Sequence, residues 1–180
     1  MANRVFLLDR SGSMETCRSD TIGGYNAFVD SQKALGGTMT LYLFDHELAT
    51  VYENVPIDQV NPLTTDTFVP RGGTALLDAM GEVLKKPLAH DTTMIILTDG
   101  EENSSRTYTS AHVKDLVAGR TKDGWQFTYL GANQDVVLAA QRLGLGPAQT
   151  IEFDQTRTPQ LFATLSQRMS STPNNLPGSV

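Results

Sequence analysis

The sequence predicts a doubly wound α/β fold: a mostly parallel sheet with one antiparallel edge strand and helices on both faces. Three observations carry this. Two short runs, Val5-Phe6-Leu7-Leu8 and Met94-Ile95-Ile96-Leu97, are apolar at every position, the pattern of strands buried on both faces of a parallel sheet. Strand-like segments alternate with helix-length amphipathic segments along most of the chain, as βαβ units require. One pair of strand-like segments, Thr38 to Phe44 and Leu48 to Tyr52, is separated only by Asp45-His46-Glu47. That link is too short for a crossover, so the second strand runs antiparallel to the first at the sheet edge.

The remaining elements follow in order. Asp20 or Thr21 offers an N-cap for a helix whose Ile22, Tyr25, Phe28, Val29 and Leu35 fall largely on one stripe, and Gly36-Gly37 stops it. From Pro56 to Pro70 the chain is polar, proline-punctuated and without period, which predicts a surface loop with one helical turn. Ala75 to Lys86 turns Leu76, Leu77, Met80, Val83 and Leu84 inward, sets Lys85 and Lys86 at the negative end of the helix, and is closed by Pro87. After the second apolar run come the polar loop Glu101 to Arg106 and a helix of up to three turns over Ser110 to Val117. Trp125 to Leu130 reads as a strand, Asp135 to Leu143 as a helix ended by Gly144, Thr150 to Phe153 as the last strand and Pro159 to Met169 as the last helix. The expectation is one domain over residues 1–170 and a flexible tail over 171–180, where Ser, Thr, Pro, Asn and Gly dominate.

Composition fits one ordinary core: 180 residues with 39% hydrophobic content. A formal charge of -6, with no basic run longer than Lys85-Lys86, argues against nucleic acid as a partner. Cys17 stands alone, so no intramolecular disulfide forms and a reducing compartment suits the chain. No apolar run approaches membrane-spanning length, and Met1-Ala2-Asn3-Arg4 leads at once into the first strand without a secretory leader. The expected address is the cytoplasm, with no membrane association, or a virion if the gene belongs to a phage.

Chemistry concentrates at strand ends. Asp9 follows the first apolar run and opens Asp9-Arg10-Ser11-Gly12-Ser13; Thr74 ends Gly72-Gly73-Thr74; Asp99 follows the second run in Thr98-Asp99-Gly100. In open α/β sheets ligands bind outside the carboxyl ends of the strands where the strand order reverses, so acids delivered there by two buried strands face one crevice. Taken singly, each piece is an ordinary cap or turn former. Together, two carboxylates and three hydroxyls make an all-oxygen donor set suited to Mg²⁺ or Mn²⁺ and unsuited to zinc or copper. Gly12 lets the backbone bend so that Ser11 and Ser13 point at the same ion.

Asp9-x-Ser11-x-Ser13 with Thr74 and Asp99 downstream resembles the metal-ion-dependent adhesion site of von Willebrand factor type A domains. The resemblance covers most of the chain and extends through Leu8 to Met14, Arg71 to Leu76 and Ile96 to Glu101, in the family's order. It is nearest to small stand-alone examples from bacteria and phages. It implies a Rossmann-like sheet, hydroxyl ligands from Ser11, Ser13 and Thr74, and Asp9 and Asp99 acting directly or through water. It also implies a function: the ion keeps an open position that an Asp or Glu of a protein partner fills, within a larger assembly such as an ATPase-linked complex or a virion. Arg10 and Arg71 flank the ligand segments and are candidates for contact with that acidic partner, whereas Glu15, Glu101 and Glu102 could repel it or shield the empty ion. Oligomeric state is not legible.

Enzyme classes fit less well. A haloacid dehalogenase-type phosphatase needs a second Asp two residues after the first as acid/base, and that position is Ser11. There is no Gly-x-Ser-x-Gly, and His46, His90 and His112 fall in a turn, a loop and a helix start. The alternative function is a Mg²⁺-dependent phosphate-ester hydrolase using the same open metal position.

Overall fold

The computed structural model describes residues 2–132, 135–154 and 157–171. Six strands, β1 Asn3–Asp9, β2 Thr38–Phe44, β3 Leu48–Pro56, β4 Thr92–Thr98, β5 Gln126–Ala132 and β6 Thr150–Phe153, form one sheet in the order β3-β2-β1-β4-β5-β6. Every neighbouring pair is parallel except β2 with β3. The helices are α1 Arg18–Gln32, α2 Leu76–Lys85, α3 Ser110–Lys122, α4 Val136–Arg142 and α5 Thr158–Ser171.

The uniformly apolar runs do what their pattern predicts. Every residue of β1 is buried, because β1 lies between β2 and β4 with helices on both sides. Strand alternation splits its side chains between two cores. Phe6 and Leu8 pack with Tyr25 and Phe28 of α1 and Phe162 and Leu165 of α5. Val5 and Leu7 pack with Met80 and Val83 of α2, Val113 and Val117 of α3 and Val136 of α4. Phe6 meets Tyr25 and Phe28 edge to face, with ring centroids 5.2 and 5.8 Å away.

Several boundaries differ from the sequence reading, each for a local reason. α1 starts at Arg18, ahead of Asp20, because Gly12–Cys17, in the loop after β1, already wind as a 3₁₀ helix that feeds into it. Cys17 is buried there, against Met14 and Thr21. β3 continues to Pro56, longer than expected, along an edge whose pairing with β2 shifts register on both sides of Leu41. Residues 57–70 are less superficial than their polarity implies: Ile57, Val60, Leu63 and Phe68 are buried and close the core on the α1 side. Pro56, Pro62 and Pro70, with the polar residues between them, mask this burial in the sequence. α3 runs to Lys122, well past Val117, with only Val113 and Val117 buried. Ser171, the first residue of the expected tail, closes α5, and 172–180 lie outside the described residues.

From β1 the chain moves to β2 on one side and returns through β4 on the other, so the strand order reverses between β1 and β4. This is the switch point at which side chains leaving the carboxyl ends of the two central strands meet.

Candidate metal centre

β1 and β4 are in register with Leu8 opposite Leu97, so Asp9 and Thr98 emerge side by side. Asp9 is fully buried. Its Oδ1 accepts from the Ser11 amide at 2.6 Å and its Oδ2 from the Thr98 hydroxyl at 2.6 Å. The first bond bends the loop after β1 back onto the strand end; the second locks that strand to β4. The Ser11 and Ser13 hydroxyls lie 3.1 Å apart, and the Ser13 hydroxyl donates to Asp99 Oδ1 at 2.7 Å. Thr74 reaches the same place from the third segment. A methyl group placed on Gly100 would lie 3.3 Å from Thr74 Oγ1 and 3.5 Å from Ser13 Oγ, so both hydroxyls border one small volume beside the Asp99-Gly100 turn.

The electrostatics of this volume suit a cation. Burial pushes the Asp9 carboxyl up to about 6; hydrogen bonds from Thr98 and Ser11 oppose the rise and the negative charge of Asp99 adds to it. Two acids and three hydroxyls, with Asp9, Ser11, Thr74 and Asp99 buried and Ser13 open to solvent, match the donor set of a hard divalent ion and offer no sulfur or imidazole.

The Thr74 segment is held from two sides. The Thr74 amide donates to Asn103 Oδ1 at 2.9 Å, and its carbonyl accepts from the Asn103 and Ser104 amides at 3.0 and 3.2 Å. Gly73 makes this closeness available, since a Cβ there would sit 2.1 Å from Ser104 Oγ. Glu102 caps α2 from across the loop, accepting from the Leu77 amide at 2.9 Å and from the Ser104 and Ser105 amides at 2.9 and 2.7 Å. A residue expected to repel an acidic partner is therefore turned inward. Asp78 of α2 answers by accepting from the amides of Arg106, Thr107 and Tyr108 at 2.8, 2.9 and 2.8 Å.

Arg10 and Arg71 border the centre and meet at Asp45. Arg71 Nε donates to Asp45 Oδ2 at 2.7 Å and Arg71 also pairs with Glu47 Oε2 at 2.7 Å, while Arg10 Nε forms an ion pair with Asp45 Oδ2 at 2.9 Å. Burial pushes the Asp45 carboxyl up, but the Arg71 hydrogen bond, the Glu47 amide and the Arg10 charge outweigh it and hold it below the usual carboxylate range. Asp45, His46 and Glu47 have ligand atoms within 4.8 Å of one another, yet the guanidinium groups already occupy the carboxylates, which removes this cluster as a rival metal site.

Sequence reasoning did not assign these structural roles to Thr98, Asn103, Glu102 or Asp45. Thr98 had a usable signal, since it precedes Asp99 at a strand end adjacent to Asp9; the other three act through contacts across 25 or more residues that no local pattern encodes.

No protein-family model and no curated protein matches the sequence. Solved structures share its fold at low identity. The von Willebrand factor domain of the type V pili tip protein Mfa5 from Porphyromonas gingivalis superposes with a TM-score of 0.70 at 13% identity, over 99% of this chain and 97% of that one. Proximal thread matrix protein 1 from the mussel byssus, with a zinc-occupied metal-ion-dependent adhesion site, gives 0.65 at 14% identity over 92% of this chain. The present chain spans about half of the mussel protein's, 47%. Manganese-loaded TRAP protein from Plasmodium vivax gives 0.61 at 14% identity, over 89% of this chain and 71% of that one. At these identities the likeness is one of fold.

Proposed function

We propose that this chain, which has the von Willebrand factor type A fold, is a metal-dependent protein-binding module. In this reading residues 1–170 act as one unit, and Asp9, Ser11, Ser13, Thr74 and Asp99 hold a Mg²⁺ or Mn²⁺ ion. The observation that carries it is the pair of hydrogen bonds across the switch point, Thr98 to Asp9 and Ser13 to Asp99, which gathers oxygens from distant segments at one strand edge. The zinc- and manganese-loaded structures that share the fold support a divalent ion at such an edge.

The ion, when bound, supplies a Lewis-acidic position for a carboxylate of the partner. The chain's own residues do the rest. Asp9 and Asp99 supply the negative charge that retains a cation; Ser11, Ser13 and Thr74 add donors without adding charge, so the centre is not neutralised to the point of refusing an external carboxylate. Arg71, whose side chain is 48% exposed, has surface left to meet an acidic partner, while Arg10, at 14%, is the more enclosed of the two. The partner is thus a protein presenting Asp or Glu, in the cytoplasm or within a larger assembly such as an ATPase-linked complex or a virion. Among the described residues no helix is long and apolar enough to cross a membrane.

The test is capture of proteins from the native host's lysate on the immobilised chain, in Mg²⁺ and in chelator, beside Asp9→Ala. Retention only with Mg²⁺ and only by the wild type supports the reading; identical captures in both buffers oppose it. Turnover of generic phosphate esters in the Mg²⁺ buffer would favour a hydrolase instead.

A further inference from the structure

We infer that Asp45 is a positioning residue for the metal centre: from the tip of the β2–β3 hairpin, its carboxylate and backbone fix the two loops that carry Asp9, Ser11, Ser13 and Thr74. The inference rests on reading those oxygens, with Asp99, as a metal site.

A hairpin tip ordinarily needs only a short polar side chain to close its turn, and Asp45 Oδ1 does that by accepting from the Glu47 amide at 2.8 Å. Its other features exceed that need. The side chain is fully buried, which is costly for a carboxylate unless paired. The pairing goes to Arg10 and Arg71 together, both reaching Oδ2, and each belongs to a ligand-bearing loop. Arg10 lies between Asp9 and Ser11, and Arg71 lies three residues before Thr74.

The backbones close the same ring. The Arg10 amide donates to the Phe44 carbonyl at 2.8 Å, the Arg71 amide to the Arg10 carbonyl at 2.8 Å, the Gly12 amide to the Gly72 carbonyl at 3.1 Å, and the Ala75 amide to the Asp45 carbonyl at 2.8 Å. Asp45 therefore binds, by side chain or main chain, residues adjacent in sequence to Asp9, Ser11 and Thr74. Little slack remains: Gly72 adopts a φ of +65°, and a Cβ there would lie 2.2 Å from His46 Nδ1. The distance between the serine pair and Thr74 is thus set by a carboxylate that contributes no oxygen to the centre, in the way outer partners orient metal ligands.

The experiment is a Mn²⁺ titration of the full chain, following free Mn²⁺ by electron paramagnetic resonance well below the melting temperature. It compares wild type, Asp45→Asn, Arg10→Ala, Arg71→Ala, the double arginine variant, and Lys33→Ala as a remote ion-pair control. Asp45→Asn is expected to raise the dissociation constant about tenfold, the low end for loss of an outer partner, with Lys33→Ala unchanged. Because both arginines converge on one oxygen, their substitutions are expected to be non-additive, the double variant binding no more weakly than Asp45→Asn. A folded Asp45→Asn with a lowered melting temperature and wild-type Mn²⁺ affinity would make Asp45 a purely structural residue and overturn the inference alone. Failure of the wild type to hold Mn²⁺ would overturn the underlying metal reading as well. If Asp45→Asn does not fold, the half-exposed Arg71→Ala decides: unchanged affinity there overturns the inference.

Discussion

Asp9 has both carboxylate oxygens committed inside the protein, one to a backbone amide and one to a threonine hydroxyl, and it still faces the centre with Asp99. Its replacement is therefore a test with two readouts. Asp9→Ala is expected to abolish divalent binding and also to destabilise the metal-free fold by about 1–3 kcal/mol, since the Ser11 amide and the Thr98 hydroxyl lose a buried acceptor. Thr74→Val separates the two effects. It keeps the β-branched outline and the Thr74 backbone bonds while exchanging the hydroxyl for a methyl, so calorimetric metal titration is expected to show an affinity loss of at least about tenfold, with urea stability little changed. At this scale the sequence was informative where chemistry is written into the spacing. Asp9, Ser11 and Ser13 lie within five residues, and their hydroxyl contact is a local fact. Asp45 was not legible, because nothing within the hairpin sequence says that its carboxylate turns inward to two arginines 35 and 26 positions away.

Among elements, the exchange between α2 and the loop that follows β4 does most to hold the Thr74 side of the centre. Glu102 and Ser105 accept from the first amides of α2, and Asp78 returns three bonds to the loop. Asp78→Ala is expected to cost about 2 kcal/mol in urea unfolding and to raise hydrogen exchange at Arg106 to Tyr108. Burial pushes the Asp78 carboxyl up, but the three amides outweigh it and hold it below its ordinary value. Its contribution is accordingly full above the usual aspartate range and fades as pH falls through its lower folded value, so the gap between wild type and Asp78→Asn is expected to narrow in acid. Strands and the main helices were legible because β1 and β4 each carry an unbroken apolar run, Val5 to Leu8 and Met94 to Leu97, and α2 is strongly one-sided. The segment 57–70 was not, since its buried Ile57, Val60, Leu63 and Phe68 are set among polar residues and interrupted by Pro62, which reads as an exposed loop.

For the whole molecule, a ligand that binds only the folded chain raises stability by mass action. Free Mg²⁺ or Mn²⁺ at a hundredfold excess over its dissociation constant is expected to add about 2.7 kcal/mol, a rise of about 5–10 °C in melting temperature for a chain of this size. Calorimetric scans in metal and in chelator measure it directly, and Asp9→Ala is expected to remove the difference. The overall architecture was legible from alternation and from the one helix-free hairpin, whereas the burial of the carboxyl edge depends on loops whose partners lie far along the chain.

The hydrogen bonds that assemble the centre join residues 86 and 89 apart in sequence, across the parallel pair β1 and β4. Such contacts cannot form before the middle of the sheet has closed, and long-range parallel pairing is slow to form. A cation held there therefore acts on time and not on assembly: it is absent from the barrier to folding and present in full on the barrier to unfolding. Stopped-flow kinetics are expected to show refolding rates indifferent to Mg²⁺ and unfolding rates that quicken on chelation, so that the lifetime of the folded chain follows the divalent content of its surroundings.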